Sequence, residues 1–315
     1  MLRWRLLLGV ALIALLVLLF WLEGTQAAGA PPLAWLYPLL LTAAALGSQD
    51  LVYLYAARKW QPSNVLLTVG NMLLVTAAVT PYLFLPVGHA LAKSWAWPAV
   101  VFGLLVLVAF LREMREYKAP GESVLNLALT IFGWSYVGWL LAVLVELRVG
   151  QVTPAHGILA IGTLILFVKL GDTGAYTVGR LIGRHKVTPV LSPGKTWEGV
   201  AGAVVWAMLG GWAVATWWVP QITSAEAAAP LTSVDHPAAS LLSSIPLTAR
   251  WIIYGGLLAI VGMLGDLAES LLKRDLGRKD SSDWLPGFGG TLDLLDSILF
   301  AGPVAYVVWQ SGWLS

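Results

Sequence analysis

Four aspartates at Asp172, Asp266, Asp293 and Asp296 define the chemistry this sequence can carry. Asp266 and Glu269 are three residues apart, as are Asp293 and Asp296. On a helix that spacing projects both members of a pair from one face. Ser270 lies one turn beyond Asp266. The stretch KRDLGRKDSSDWLPGFGGTLDLLDS, residues 273–297, adds four basic and five acidic side chains in a chain that is only 11% charged. Carboxylates so close cannot all stay ionised in a poorly hydrated site unless a cation sits among them. Oxygen ligands suit a hard ion, and Mg²⁺ is commonly held by one or two carboxylates together with substrate phosphates. A first-turn Asp also complements the helix dipole, which explains Asp293 without a metal. The same dipole disfavours acids at the C-terminal end of a helix, where Asp266 and Glu269 fall.

Two further segments break an otherwise apolar pattern. In KLGDTGAYTVGR, 169–180, Lys169 and Asp172 share a helical face. They form either a functional pair or one that satisfies itself. At 1.5 Å per residue, Asp172 lies roughly 12 Å before Arg180. In HKVTPVLSPGKTWEG, 185–199, Lys186, Lys195, Ser192 and Thr196 can meet phosphate oxygens as donors. Equally, the two hydroxyls can cap a helix beginning near Trp197, and the two lysines can anchor the membrane face. PGFGG, 286–290, supplies glycines that let backbone amides approach a phosphate. No Walker A loop, GxGxxG or HExxH occurs, and the four His are scattered, which argues against histidine-based metal chemistry.

The elements that must position these residues are membrane helices. The chain is 58% hydrophobic with mean hydropathy +0.77, 17 Trp and no Cys, a composition typical of integral membrane proteins and one that rules out disulfides. Apolar runs long enough to span a bilayer fall at about nine places: 5–22, 33–48, 64–87, 96–111, 123–146, 157–179, 199–219, 251–271 and 291–310. Trp21, Trp60, Trp95, Trp97, Trp217, Trp218, Trp309 and Trp313 cluster near their ends. Arg and Lys fall on alternate connections, 15 against 3, with only Lys93, Arg148 and Arg250 on the minority side. The fold expected is therefore all-α, a polytopic transmembrane helix bundle with its N-terminus and charged loops in the cytoplasm. Residues 1–30 also resemble a signal peptide, but the apolar run is long for one, and a retained anchor is expected. Residues 1–150 form an N-terminal helical region and 151–315 a C-terminal catalytic region. The Ala/Ser/Pro-rich 219–250 reads as a connector without chemistry. There is no 20–50-residue repeat and no pair of inverted halves.

The C-terminal pattern resembles the phosphatidate cytidylyltransferase (CDP-diacylglycerol synthase) family. Its signature, S-x-x-K-R-x4-K-D-x-[GSA]-x2-[LIF]-P-x-H-G-G-x-x-D-R-x-D, is met by Ser270, Lys273, Arg274, Lys279, Asp280, Ser282, Leu285, Pro286, Gly289, Gly290, Asp293 and Asp296. DTGAY…GR, 172–180, and SPGKTWEG, 192–199, are similar to upstream family segments in the same order. Two positions depart: Phe288 stands where the signature has His, and Leu294 where it has Arg.

The resemblance implies transfer of CMP from CTP to phosphatidic acid, giving CDP-diacylglycerol and pyrophosphate. It places catalytic roles on Asp293, Asp296, Lys273, Arg274, Lys279 and Asp280. Substrate contacts fall to Ser192, Lys195, Thr196, Ser270, Gly289 and Gly290. Mg²⁺ falls to Asp266, Asp293 and Asp296, with Asp172 a further ligand, and K⁺ is implied as a second cation. The expected surroundings are the inner (plasma) membrane, with the active site facing the cytoplasm and a lateral opening for acyl chains. No nucleic-acid partner is expected, and a homodimer is an expectation from size. A phosphate monoester has its second pKa near 6, so phosphatidate attacks without losing a proton to the enzyme, and Phe288 is compatible with activity. The rivals are a CTP-dependent lipid-alcohol kinase, which needs a base for its hydroxyl, a non-catalytic homologue, and a membrane transporter. Transporter acids usually lie at the midplane between repeats.

Overall fold

The computed structural model describes residues 2–25, 31–84, 95–118, 120–151, 153–221, 244–285, 287 and 289–314. Pro286, Phe288, Lys93 and most of the 219–250 connector lie outside them. The described chain is helical throughout, apart from one short hairpin: α1 (Leu2–Gly24), α2 (Tyr37–Ala56), α3 (Asn64–Phe84), α4 (Ala96–Glu116), α5 (Ser123–Val149), α6 (Pro154–Ile182), β1 (Lys186–Thr188), β2 (Ser192–Thr196), α7 (Trp197–Gln221), α8 (Leu247–Asp275) and α9 (Leu292–Gln310). Eight of these are long and apolar enough to cross a membrane, and α1 holds a shorter apolar stretch, Gly9–Gly24. Each expected span therefore has a helix.

Two compact units form. The first comprises residues 1–150 with 272–295, and the second 151–271 with 296–315. The chain passes from the second unit to the first within α8, and back again within α9. The cluster 272–295 thus folds with the N-terminal helices, although it follows the C-terminal ones in sequence.

In the first unit, α2 runs through residues 49 and 50 instead of ending at 48, because their polar groups have partners. Gln49 donates to Asn64 Oδ1 (2.9 Å) and Thr68 Oγ1 (3.0 Å), and Asp50 accepts from the Leu292 amide (2.9 Å). A π-helical turn at Trp134–Trp139 interrupts α5. The Gly138 amide donates to Asn71 Oδ1 on α3 (2.9 Å), and Asn71 Nδ2 donates to Ser48 Oγ on α2 (2.8 Å). In a bilayer such side-chain bonds satisfy backbone groups that lipid cannot. Glu23, at the end of α1, forms a buried ion pair with Arg148 of α5 (2.9 Å) and accepts from the Leu33 amide (2.5 Å).

In the second unit, Thr153 caps α6 by accepting from the His156 amide (3.2 Å), with Pro154 in the first turn. Glycines let α6 and α7 approach closely: a Cβ on Gly174 would stand 2.5 Å from the Gly202 carbonyl. Phe167, Trp251, Tyr254 and Trp309 pack edge to face, and Trp309 Nε1 donates to the Tyr254 hydroxyl (3.2 Å). The 185–199 loop contains the antiparallel hairpin β1–β2, with Lys186 opposite Thr196.

Candidate active site

In the first unit, the last turn of α8 and the first of α9 bring Lys273 to Asp293. Lys273 Nζ donates to Asp293 Oδ1 (2.5 Å), and both side chains are almost fully buried. Asp293 Oδ2 accepts from the Ser281 amide (2.9 Å), the Ser281 hydroxyl (2.6 Å) and the Gly290 amide (2.8 Å). The turn before α9 makes this possible. Leu285 and Gly289 exchange backbone bonds (3.0 and 3.1 Å), and Gly287 and Gly289 hold φ of +87° and +86°, a region L side chains rarely adopt. The amides of Gly289 and Gly290 are therefore engaged within the protein, on Leu285 and Asp293, where the sequence had offered them to a phosphate.

Two residues of α2, Asp50 and Tyr53, and Arg58 just beyond its end hold this loop, and sequence reasoning singled out none of them for the site. Asp50 is buried, accepts from the start of α9 at Leu292, and borders Gly290, where any Cβ would collide with it. Its Oδ1 is buried without a well-formed hydrogen bond. The Tyr53 hydroxyl donates to Asp283 (2.7 Å), and the Arg278 guanidinium lies 4.8 Å from the Tyr53 ring centre. The Arg58 guanidinium donates to the Asp275 carbonyl. The signal for Asp50 was present: a lone acid running on from an apolar span is costly without a purpose. Lys279 and Asp280 are exposed on this loop, and Arg274 is exposed on the last turn of α8.

In the second unit, β2 delivers Lys195 to α8. Its Nζ bonds Asp266 Oδ2 (2.9 Å) and the Met263 carbonyl (3.2 Å). The Ser270 hydroxyl points to Asp266 Oδ1 (3.4 Å). Asp296 is buried within electrostatic reach of Asp266 and Lys169, and accepts from the Ser297 amide (2.5 Å). Lys169 and Asp172 are paired at 3.0 Å, with side chains 45% and 44% exposed. Thr196 is buried and caps α7 by accepting from the Gly199 amide (3.1 Å), the structural option of the two left open in the sequence. Ser192 is half-buried in β2 opposite Thr188.

The four expected metal aspartates are thus distributed: Asp172, Asp266 and Asp296 in the second unit, Asp293 in the first. Among the described residues no three carboxylates or imidazoles form a metal-holding group. What the second unit offers is the pair Asp266 and Asp296, with Lys195 and Lys169 beside it. Two carboxylates are a sufficient protein contribution for Mg²⁺ when phosphates complete its coordination, so this donor set fits that ion.

Comparison with known proteins bears on the family of the chain. Residues 3–311 match the family model described as the cytidylyltransferase family. The chain is 35% identical over 217 residues to the phosphatidate cytidylyltransferase of Staphylococcus saprophyticus, covering 69% of this chain and 72% of that protein. It is 32% identical over 214 residues to that of Haemophilus influenzae, covering 67% and 64%. With that of Mycobacterium bovis it shares 33% over 196 residues, covering 60% and 53%. Helices fit to span a membrane, paired acids beside lysines, and a match running nearly end to end converge on one conclusion: the chain belongs to the cytidylyltransferase family.

Proposed function

We propose that the protein transfers CMP from CTP to phosphatidic acid, forming CDP-diacylglycerol and releasing pyrophosphate, at the cytoplasmic face of the inner membrane. The observation that carries this reading is the Lys195–Asp266 pair with Asp296 and Lys169 beside it, on helices fit to span a bilayer. Fixed cations and carboxylates on such helices support a site for a membrane-bound phosphate and a soluble nucleotide. The distribution of Lys and Arg supports the orientation.

In this reaction an oxygen of the lipid phosphate attacks the α-phosphorus of CTP. A new P–O bond forms as the bond from the α-phosphorus to the bridging oxygen breaks, and pyrophosphate leaves with that electron pair. The lipid phosphate is already largely dianionic at neutral pH, so no side chain has to take a proton from it. Such transfers depend on positioning and on neutralising charge. Lys195 and Lys169 supply fixed positive charge to phosphate oxygens, and Asp172 orients Lys169. Asp266 and Asp296 would hold Mg²⁺, which when bound neutralises the triphosphate and aligns its phosphates. K⁺ enters only through the family resemblance, and we assign it no ligands. Roles in the reaction for Arg274 and Lys279, exposed on the first unit, enter only through the family resemblance. Lys273 and Asp293 are proposed to hold the 281–290 loop in shape. A homodimer belongs to the same proposal on grounds of size, and the mass of the solubilised particle tests it.

The test is turnover of the purified protein with phosphatidic acid, Mg²⁺ and α-labelled CTP, beside Asp296→Asn. Label is expected in the lipid product, absent with the variant, and lost on chelation until Mg²⁺ is restored. Label reaching lipid from γ-labelled CTP instead would identify a kinase and overturn the reading.

A further inference from the structure

The hairpin β1–β2 carries a feature that the reaction does not use. Its turn places Val190 at the tip with 93% of its surface exposed, the highest value among the large hydrophobic residues described. Leu181 and Ile182, on the last turn of α6 just before the hairpin, are 82% and 61% exposed. Between and around these apolar groups, the side chains of Arg184 and Lys186 are exposed. Arg180 bonds the Tyr176 hydroxyl (2.6 Å) and lies over its ring. From residue 180 to 198 the chain has one acid, Glu198. That carboxylate is engaged with the His185 ring (2.6 Å) and the Arg184 amide (3.0 Å), so it does not neutralise the collar of cations.

The hairpin is firmly based. The Trp197 amide donates to the His185 carbonyl (2.9 Å), and Thr196 is wedged so tightly that a Cβ on Gly183 would stand 2.7 Å from its Oγ1. Residues 183–196 are all that separate α6 from α7. At ~3.3 Å per residue, the tip, eight residues beyond Ile182, lies within ~26 Å of the point where α6 ends. With 29 residues, α6 runs ~43 Å, ~13 Å more than the ~30 Å hydrocarbon core, and Arg180 in its last turn marks that end as the one that meets the headgroups. An exposed apolar tip with a basic collar, following directly on the end of a helix long enough to span the bilayer, matches anionic headgroups above acyl chains.

We propose that this hairpin is a lipid-docking element: Val190 and its neighbours Leu181 and Ile182 enter the leaflet, while Arg184 and Lys186 engage anionic lipid headgroups. The occupant is the anionic leaflet of the protein's own membrane. Because β2 also carries Lys195, the element fixes the depth at which that lysine meets the bilayer surface. This inference stands apart from the proposed reaction, since its readout is the position of a probe.

The test exploits the lack of native cysteine. The full chain bearing Val190→Cys, labelled with a polarity-sensitive fluorophore, is reconstituted in vesicles of phosphatidylcholine alone or mixed with phosphatidylglycerol. In the mixed vesicles the emission should be blue-shifted, quenched by lipid carrying a nitroxide high on its acyl chain, and protected from aqueous iodide. Adding Arg184→Gln and Lys186→Gln should abolish the difference between the two lipids. Each Lys or Arg near an anionic surface changes the apparent affinity by about five-fold. A probe open to iodide and blind to the nitroxide lipid in both vesicles would place the tip in water and overturn the proposal. So would a probe shielded from both quenchers, which would mean that a second copy covers it. Equal insertion in both lipids would overturn the role of charge.

Discussion

Asp293 and Asp296 share a helical turn and a place in the same signature, yet their surroundings predict opposite responses to loss of charge. Asp293 receives four donors: Lys273, two from Ser281 and one from Gly290. Asp293→Asn keeps the shape but offers one acceptor oxygen and one amide. If the oxygen keeps the Ser281 and Gly290 bonds, the amide faces the Lys273 ammonium, donor against donor. Turned the other way, both backbone amide bonds fail and the Ser281 hydroxyl must accept instead of donating. The milder arrangement loses one charge-assisted bond, about 1.5–3 kcal/mol. It also removes the carboxylate from a buried ammonium, which brings the expected cost to about 3–5 kcal/mol. Read as an apparent melting midpoint of the solubilised protein, that is a fall on the order of 10 °C. Lys273→Met alone should cost a similar amount, and the double variant clearly less than the sum. Asp296 instead accepts one neighbouring amide and stands close to Asp266. Asp296→Asn should leave the midpoint unchanged or slightly higher while transfer of label from CTP to lipid disappears. An unchanged midpoint for Asp293→Asn, or strictly additive effects in the double variant, would refute the assignment of Asp293 to structure.

Lys195→Met removes the ammonium from Asp266 and from the Met263 carbonyl; turnover should fall by about 10²-fold or more in a protein that still elutes as a folded particle. Gly290→Ala places a Cβ against Ser281 and Asp50, so a loss of about 1–3 kcal/mol is expected, visible as a lower midpoint and partly relieved by Ser281→Gly. Glu23→Gln breaks the buried pair with Arg148 and should cost about 3–5 kcal/mol, and deleting residues 1–24 should do at least as much, read by yield of folded protein from the membrane.

The sequence discloses a membrane protein's architecture more readily than its site, and particular residues show why. Span positions follow from apolar runs, because a helix in lipid must be apolar over a fixed length whatever its neighbours do. The end of α2 is the instructive exception. An apolar count stops at residue 48, yet the helix continues to Ala56, since Gln49 and Asp50 find partners on other elements: Asn64 and Thr68 on α3, and Leu292 at the start of α9. Leu292 lies 242 positions downstream, and no local pattern carries that pairing. The acidic pairs at i, i+3 are visible in the sequence. What spacing does not reveal is which other groups claim each carboxylate. Asp293 is claimed by a lysine from the preceding helix and by amides from a loop whose shape depends on positive-φ glycines. Asp266 is claimed by Lys195 from a hairpin that the sequence shows only as a loop broken by Pro and Gly. The same division explains the glycines of 286–290. They are needed because side chains of the protein, Asp50, Ser281 and Asp293, crowd Gly289 and Gly290. Close backbone approach was correctly inferred from the glycines. Whether the approaching group is a ligand or the protein itself is settled by tertiary packing, and at Gly290 it is the protein.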